Sequence, residues 1–193
     1  MVGVIIFLVI VVVIAFTFIS AYNRLISLKG QTDNAWKQID VQLKRRHDLI
    51  PNLINAVKGA MQFEKETLEA VVAARNSAVT ACASATPATA GQVAAAEGVL
   101  SSALTRFMAV VEAYPDLKAT GNIGQFQEEL SSTENKVAFA RQAYNDTATE
   151  YNVTQRQFPT VLVAGEAGAA PAQLWEITDE ADRAVPMVDL SMK

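Results

Sequence analysis

The chain has 193 residues, 51% of them hydrophobic, and a formal net charge of −4, which gives room for one domain of ordinary size. A single cysteine, Cys82, excludes an internal disulfide framework, and one histidine, His47, beside it falls short of an ordinary structural zinc set. Histidine-dependent catalysis would have to rest on His47 alone, so the composition leans away from an enzyme.

Residues 2–21 run without a charge. At about 1.5 Å per helical residue they span the roughly 30 Å of a bilayer core. No basic stretch precedes them, and the run exceeds the roughly 7–15 apolar residues of a signal-peptide core. The reading is an uncleaved transmembrane anchor over residues 1–22, with the lipid bilayer as partner of residues 2–21 and Tyr22 at the interface. Arg24, Lys29 and Lys37 follow the span, which places the N-terminus outside and the rest of the chain in the cytoplasm.

Beyond the anchor, apolar residues keep helical spacing from Leu25 through Leu28, Trp36, Ile39, Leu43, Ile50, Leu53, Val57, Leu68 and Val71 to Val79. No turn cluster interrupts them until Ser84-Ala85-Thr86-Pro87, inside a connection over 81–91. Val93, Leu100, Leu104, Phe107, Val111 and Tyr114 outline a second helix, and Pro115 helps to end it. Asn122 with Gln125 has the spacing of a cap for a third. In that third segment Leu130, Val137, Tyr144, Tyr151 and Phe158 recur every seven residues, the period of coiled-coil packing, before Pro159. The tail has no sustained period; Trp175 is its candidate for docking, and 184–188 looks extended. The expected fold is all-α, a long-helix antiparallel bundle of three to four helices on an N-terminal transmembrane helix. The bundle occupies residues 23–160 and an irregular tail, 161–193, docks on it. Four helices result if Pro51 breaks the first.

One family resemblance covers the chain. Tyr22-Asn23, Ala35-Trp36-Lys37-Gln38-Ile39-Asp40-Val41-Gln42-Leu43-Lys44-Arg45-Arg46, Asp48-Leu49-Ile50-Pro51-Asn52-Leu53 and Val57-Lys58-Gly59 resemble the signature of LemA proteins. Tyr114-Pro115, Glu134, Arg141, Tyr144-Asn145, Tyr151-Asn152 and Phe158-Pro159 match further on, while Ala60-Met61-Gln62-Phe63 and the tail depart from the pattern. The resemblance implies a bacterial single-pass protein of the cytoplasmic (inner) membrane with its helical bundle on the cytoplasmic side. It supplies no biochemical activity, catalytic residue or cofactor. It does imply a link to membrane-compartment organisation and to membrane metalloproteases.

The densest chemistry lies at Lys44-Arg45-Arg46-His47-Asp48, ahead of Pro51 and Asn52. A continuous helix would carry these cations about 35 Å beyond the span, several Debye lengths from any headgroup, and a basic run this short gives nucleic acid little to bind. Arg45, Arg46 and Asp48 are expected to pair with Glu134, Arg141 or a neighbouring chain. Asn145 and Asn152, each after a tyrosine (Tyr144, Tyr151), are expected to fix register with neighbouring helices. Up to Lys65 the chain has eight cationic against four acidic side chains, a local +4 that leaves −8 for the remainder, so one half can meet the other half of a neighbouring copy, or its own third helix. The leading expectation is a non-enzymatic scaffold that self-assembles as a homo-oligomer, without cofactor, metal or nucleic acid. The rival is an adaptor or regulator of a membrane protease or envelope-stress system.

Overall fold

A computed structural model describes residues 1–58, 64–114 and 121–176, without the side chains of 121 and 122. Regular structure among the described residues is helical throughout: α1 (Val2–Val57), α2 (Lys65–Ala83), α3 (Ala90–Glu112) and α4 (Gly121–Thr154), with single 3-10 turns at Pro87–Thr89 and Thr160–Leu162.

α1 is one helix of 56 residues, about 84 Å long at 1.5 Å per residue. Two patterns share it. Along 2–20 the side chains are apolar all round and stand exposed, with Phe18 the one half-buried position, the pattern of a helix whose solvent is hydrocarbon. From Leu25 onward one stripe is buried in steps of three and four: Leu25, Leu28, Thr32, Ala35, Trp36, Ile39, Leu43, Arg46, His47, Ile50, Leu53 and Val57. The uncharged run thus continues without a break into a bundle helix.

The helices run up, down, up and down, with α1 lying mainly along α4 and α2 along α3. At the α2–α3 reversal the Thr89 hydroxyl accepts from the Thr86 N–H (3.0 Å), while Pro87 occupies the first turn, where its missing N–H costs nothing. Two apolar clusters fill the interior. The one nearer the uncharged run joins α1, α4, the start of α3 and tail residues Ala167, Ala172 and Trp175. The distal one joins all four helices, from Ile50 and Val71 to Phe107, Val111, Ile123 and Leu130.

Three expectations need correction. The first helix does not run on to Val79; it ends at Val57 and α2 begins at Lys65, and this interruption accounts for the fourth helix. Pro51 lies inside α1 and does not break it. The heptad stripe of α4 buries Leu130, Val137, Tyr144 and Tyr151 but stops before Phe158, which is 79% exposed. The residue before a proline is disfavoured in the helical region, so Pro159 ends the helix upstream of Phe158. The readings placed on Pro115, on the Asn122 side chain and on 184–188 lie outside the described residues.

Candidate functional site

Between the two apolar clusters each helix carries polarity on its inward stripe. On α1 the stripe steps from Leu43 to Ile50 through Arg46 and His47; on α3 it steps from Ala94 to Leu100 through Glu97. Helical spacing leaves these side chains nowhere to point but inward. Thr133 on α4, also buried, returns its hydroxyl to the Glu129 carbonyl (2.7 Å), and Cys82 of α2 lies half-buried at the same level.

Glu97 is the hub. One carboxylate oxygen accepts from Arg46 Nη1 at 3.2 Å; the other meets His47 Nε2 at 2.5 Å. Arg46 Nη2 donates in addition to Ser101 Oγ at 2.9 Å. All three side chains of the triad are nearly sequestered, at 5–6% exposure. Desolvating such groups is costly, and the network offsets the cost by giving each a charge-assisted partner. Burial, then the carboxylates of Glu97 and Asp40, push the Cys82 thiol up to about 12. It is therefore a neutral thiol near pH 7, the reverse of an activated nucleophile. The donor atoms of His47, Cys82 and Glu97 lie within 4.8 Å of one another, one ligand short of a closed zinc site. In this arrangement the carboxylate is already committed to a guanidinium, and the chemistry expressed is hydrogen bonding.

Pro51 completes the joint. Its absent N–H leaves the carbonyl of residue 47 without the usual i−4 partner. Arg75 of α2 supplies the missing donor, with Nε 2.8 Å from the His47 carbonyl oxygen. The proline thus ties α1 to α2.

A second polar constellation holds the tail. Asn145 donates to the Trp175 carbonyl (3.0 Å) and accepts from the Trp175 N–H (2.8 Å); Asn152 does the same for Ala172 (2.7 and 2.9 Å). Each carboxamide imitates a neighbouring strand's peptide group, satisfying backbone that would otherwise be orphaned. Seven helical residues rise about 10.5 Å, and three residues of chain cover about 10 Å when nearly extended, so the heptad spacing of the asparagines matches the spacing of Ala172 and Trp175. Between them the Tyr144 hydroxyl donates toward the Gln173 carbonyl at 2.6 Å and lies 3.1 Å from the Pro87 carbonyl. The Trp175 ring lies 6.2 Å from that of Trp36, which meets Tyr144 edge-on at 5.2 Å.

The candidate residues therefore divide. Arg46 is paired, but with Glu97, a residue that the sequence reading did not single out. Arg45, Asp48 and Asn52 face outward on α1, and among the described residues Arg45 and Asp48 have no ion-pair partner. The reason is angular: once Leu43, Arg46, His47 and Ile50 define the inner face, positions 45, 48 and 52 lie off it. Glu134 is exposed and Arg141 half-buried; both line an open cleft of about 1240 Å³ beside Arg46 and Glu97 without an ion pair to either. Tyr144 and Tyr151 are core residues of α4, and Asn145 and Asn152 grip the tail rather than a neighbouring helix.

On the outer side of the α1–α4 pair lies a shallower groove of about 620 Å³, lined by Lys37, Val41, Gln42, Lys136, Phe139 and Ala143. Phe139 is 74% exposed and Val41 61%. Gln42 Oε1 is buried there without a hydrogen-bond partner among the described residues.

Residues 35–190 match the LemA family. Among curated proteins the chain is similar to magnetosome proteins MamQ 1 and MamQ 2 of Paramagnetospirillum magneticum, 23% identical to each over 186 residues, covering 85% of this chain and 68% of each relative. It is also similar to Protein LemA of Metamycoplasma hominis, 27% identical over 151 residues, covering 77% of this chain and 66% of that one.

Proposed function

The chain belongs to the LemA family and is a membrane-associated helical protein, and from that premise we propose that it is a non-enzymatic scaffold that self-assembles at the inner membrane. The observation that carries the reading is the outer α1–α4 groove. Two large apolar side chains stand in water beside a buried acceptor with no donor among the described residues, a surface whose cost falls when a second copy covers it. The relatives support it in kind, since two of them bear the name of a magnetosome protein. The neutral Cys82 thiol and the committed Glu97 carboxylate argue for structure over catalysis at the polar layer. The cations Arg24, Lys29 and Lys37, just past the apolar run, favour an outside N-terminus and a cytoplasmic bundle.

The test is cross-linking in intact membranes. With Cys82→Ala as background, Phe139→Cys is expected to give a covalent dimer with a short bis-maleimide. Val99→Cys on α3, also exposed, is expected to give none. Absence of a dimer at position 139 contradicts the proposal.

A further inference from the structure

The corner that follows α4 is the least explained apolar surface of the bundle. Residues 157–165, Gln-Phe-Pro-Thr-Val-Leu-Val-Ala-Gly, carry no charge. Thr160 is buried, whereas Phe158 is 79%, Leu162 61% and Val161 47% exposed. One such side chain would be unremarked; three in five residues make a tip.

The antiparallel register of α1 and α4 says where the tip lies. Trp36 meets Tyr144 (5.2 Å), and Arg24 Nη2 is 3.5 Å from Glu150 Oε1. Paired positions thus sum to about 174–180, a spread consistent with two packed helices of equal rise. Continued past Thr154, the chain draws level with Ala21 and then Phe18. Burial agrees independently: Phe18 is the one half-buried position of 2–20, Ala21 is buried, and the Thr160–Leu162 turn touches α1. Phe18 and Ala21 belong to the uncharged run. A tip level with them is therefore at the depth where that run leaves the hydrocarbon.

We propose that Phe158, Val161 and Leu162 form a second membrane contact, an interfacial wedge seated at the headgroup–acyl boundary beside the span. The occupant is the lipid surface, because the tip is continuous with the bilayer contact of residues 2–21, on which reading it rests. Apolar residues at this depth exchange water for acyl chain, as monotopic segments do. Arg156, exposed at the edge of the uncharged run, is positioned for headgroup phosphate. Two points of attachment, span and wedge, hold the rod at a set tilt, which a lone helix does not.

The experiment uses the full-length chain in vesicles of phosphatidylcholine and phosphatidylglycerol. In the Cys82→Ala background, spin labels are placed singly through Ile10→Cys, Phe139→Cys, Phe158→Cys and Leu162→Cys. Relaxation by oxygen, which partitions into lipid, is compared with relaxation by a water-soluble nickel chelate. Positions 158 and 162 are expected to follow position 10, with nickel accessibility several-fold below that of 139. If 10 is lipid-exposed while 158 and 162 follow 139, the wedge is wrong and the span stands. If 10 is itself aqueous, both fall. Labels at 158 that are shielded from both reagents and broadened by their neighbours would assign the tip to a second copy and overturn the proposal. A cysteine-independent reading comes from Phe158→Trp in brominated lipid: additional quenching relative to the unmodified chain is expected, and none contradicts the wedge.

Discussion

The two ends of the bundle solve the same problem with different means. In the distal half, four helices enclose Ile50, Leu53, Val57, Val71, Leu100, Phe107, Val111 and Ile123, and burial of aliphatic surface suffices. In the half nearer the uncharged N-terminal run, α1 and α4 bring Trp36, Tyr144 and Tyr151 together, and a non-helical tail closes the remaining side. Residues 170–176 of the tail make no backbone hydrogen bond to one another, so Asn145, Asn152 and Tyr144 supply partners. Helix on helix needs only shape, whereas irregular chain on helix needs placed polar groups as well. The Arg46–His47–Glu97 layer marks the boundary between the two regimes.

Breaking the boundary is expected to have the largest effect. Glu97→Ala leaves a buried guanidinium without its counter-charge, held only by the Ser101 hydroxyl, and a buried imidazole without its carboxylate partner, and should cost about 3–5 kcal/mol of unfolding free energy in denaturant titrations. Removing the whole layer with Arg46→Leu, His47→Leu and Glu97→Leu together should recover most of that loss, because no uncompensated charge remains. A triple variant as unstable as the single one would mean that the layer contributes more than mutual compensation.

The tail clamps test whether the proximal half is a separable unit. Asn145→Ala or Asn152→Ala should each cost about 1–3 kcal/mol, the penalty of leaving buried backbone groups unpaired. Hydrogen exchange should rise in 170–176 while the distal helices stay protected. Uniform loss of protection over the chain would erase the distinction between the halves. At the joint itself, Arg75→Met should cost about 1–3 kcal/mol in the parent chain and much less alongside Pro51→Ala, which restores the intrahelical donor to the His47 carbonyl. A double-mutant cycle measures the coupling.

The smallest effect expected is with pH. Burial raises the pKa of Cys82, to about 12 from an ordinary 9.0, and that of Tyr144 in the same direction. Each is an acid held neutral in the fold. Its contribution is therefore complete below the unfolded pKa and is lost as pH rises through the folded one. Stability should be insensitive to these groups up to about pH 9 and decline from there toward pH 12. Cys82→Ala should flatten the early part of that decline.

Much of this was written in the sequence, and the exceptions have physical causes. The uncharged run, the inward stripe of α1 and the heptads of Leu130, Val137, Tyr144 and Tyr151 could be read directly, because a helix turns spacing into a face. The orphan carbonyl made by Pro51 could also be foreseen, but not its donor, since nothing in the spacing of Arg75 distinguishes it from a solvated arginine. Glu97 was legible and overlooked: Val93, Glu97, Leu100 and Leu104 keep steps of four, three and four, so a carboxylate stands on the buried stripe. Asn145 and Asn152 announced a shared face, yet their ligand is a segment without periodicity. Phe158 kept the heptad count after the helix had ended, and Pro159 was the sign that it had.

The proposal of self-assembly is tested most directly by the mass of the full-length chain in mild detergent, measured by light scattering at micromolar concentration. An oligomer is expected for the parent protein. Val41→Glu with Phe139→Glu is expected to reduce it to the monomer at unchanged helicity, because both charges would be buried in the self-contact. A monomeric parent, or an oligomer indifferent to both substitutions, would contradict assembly through this face.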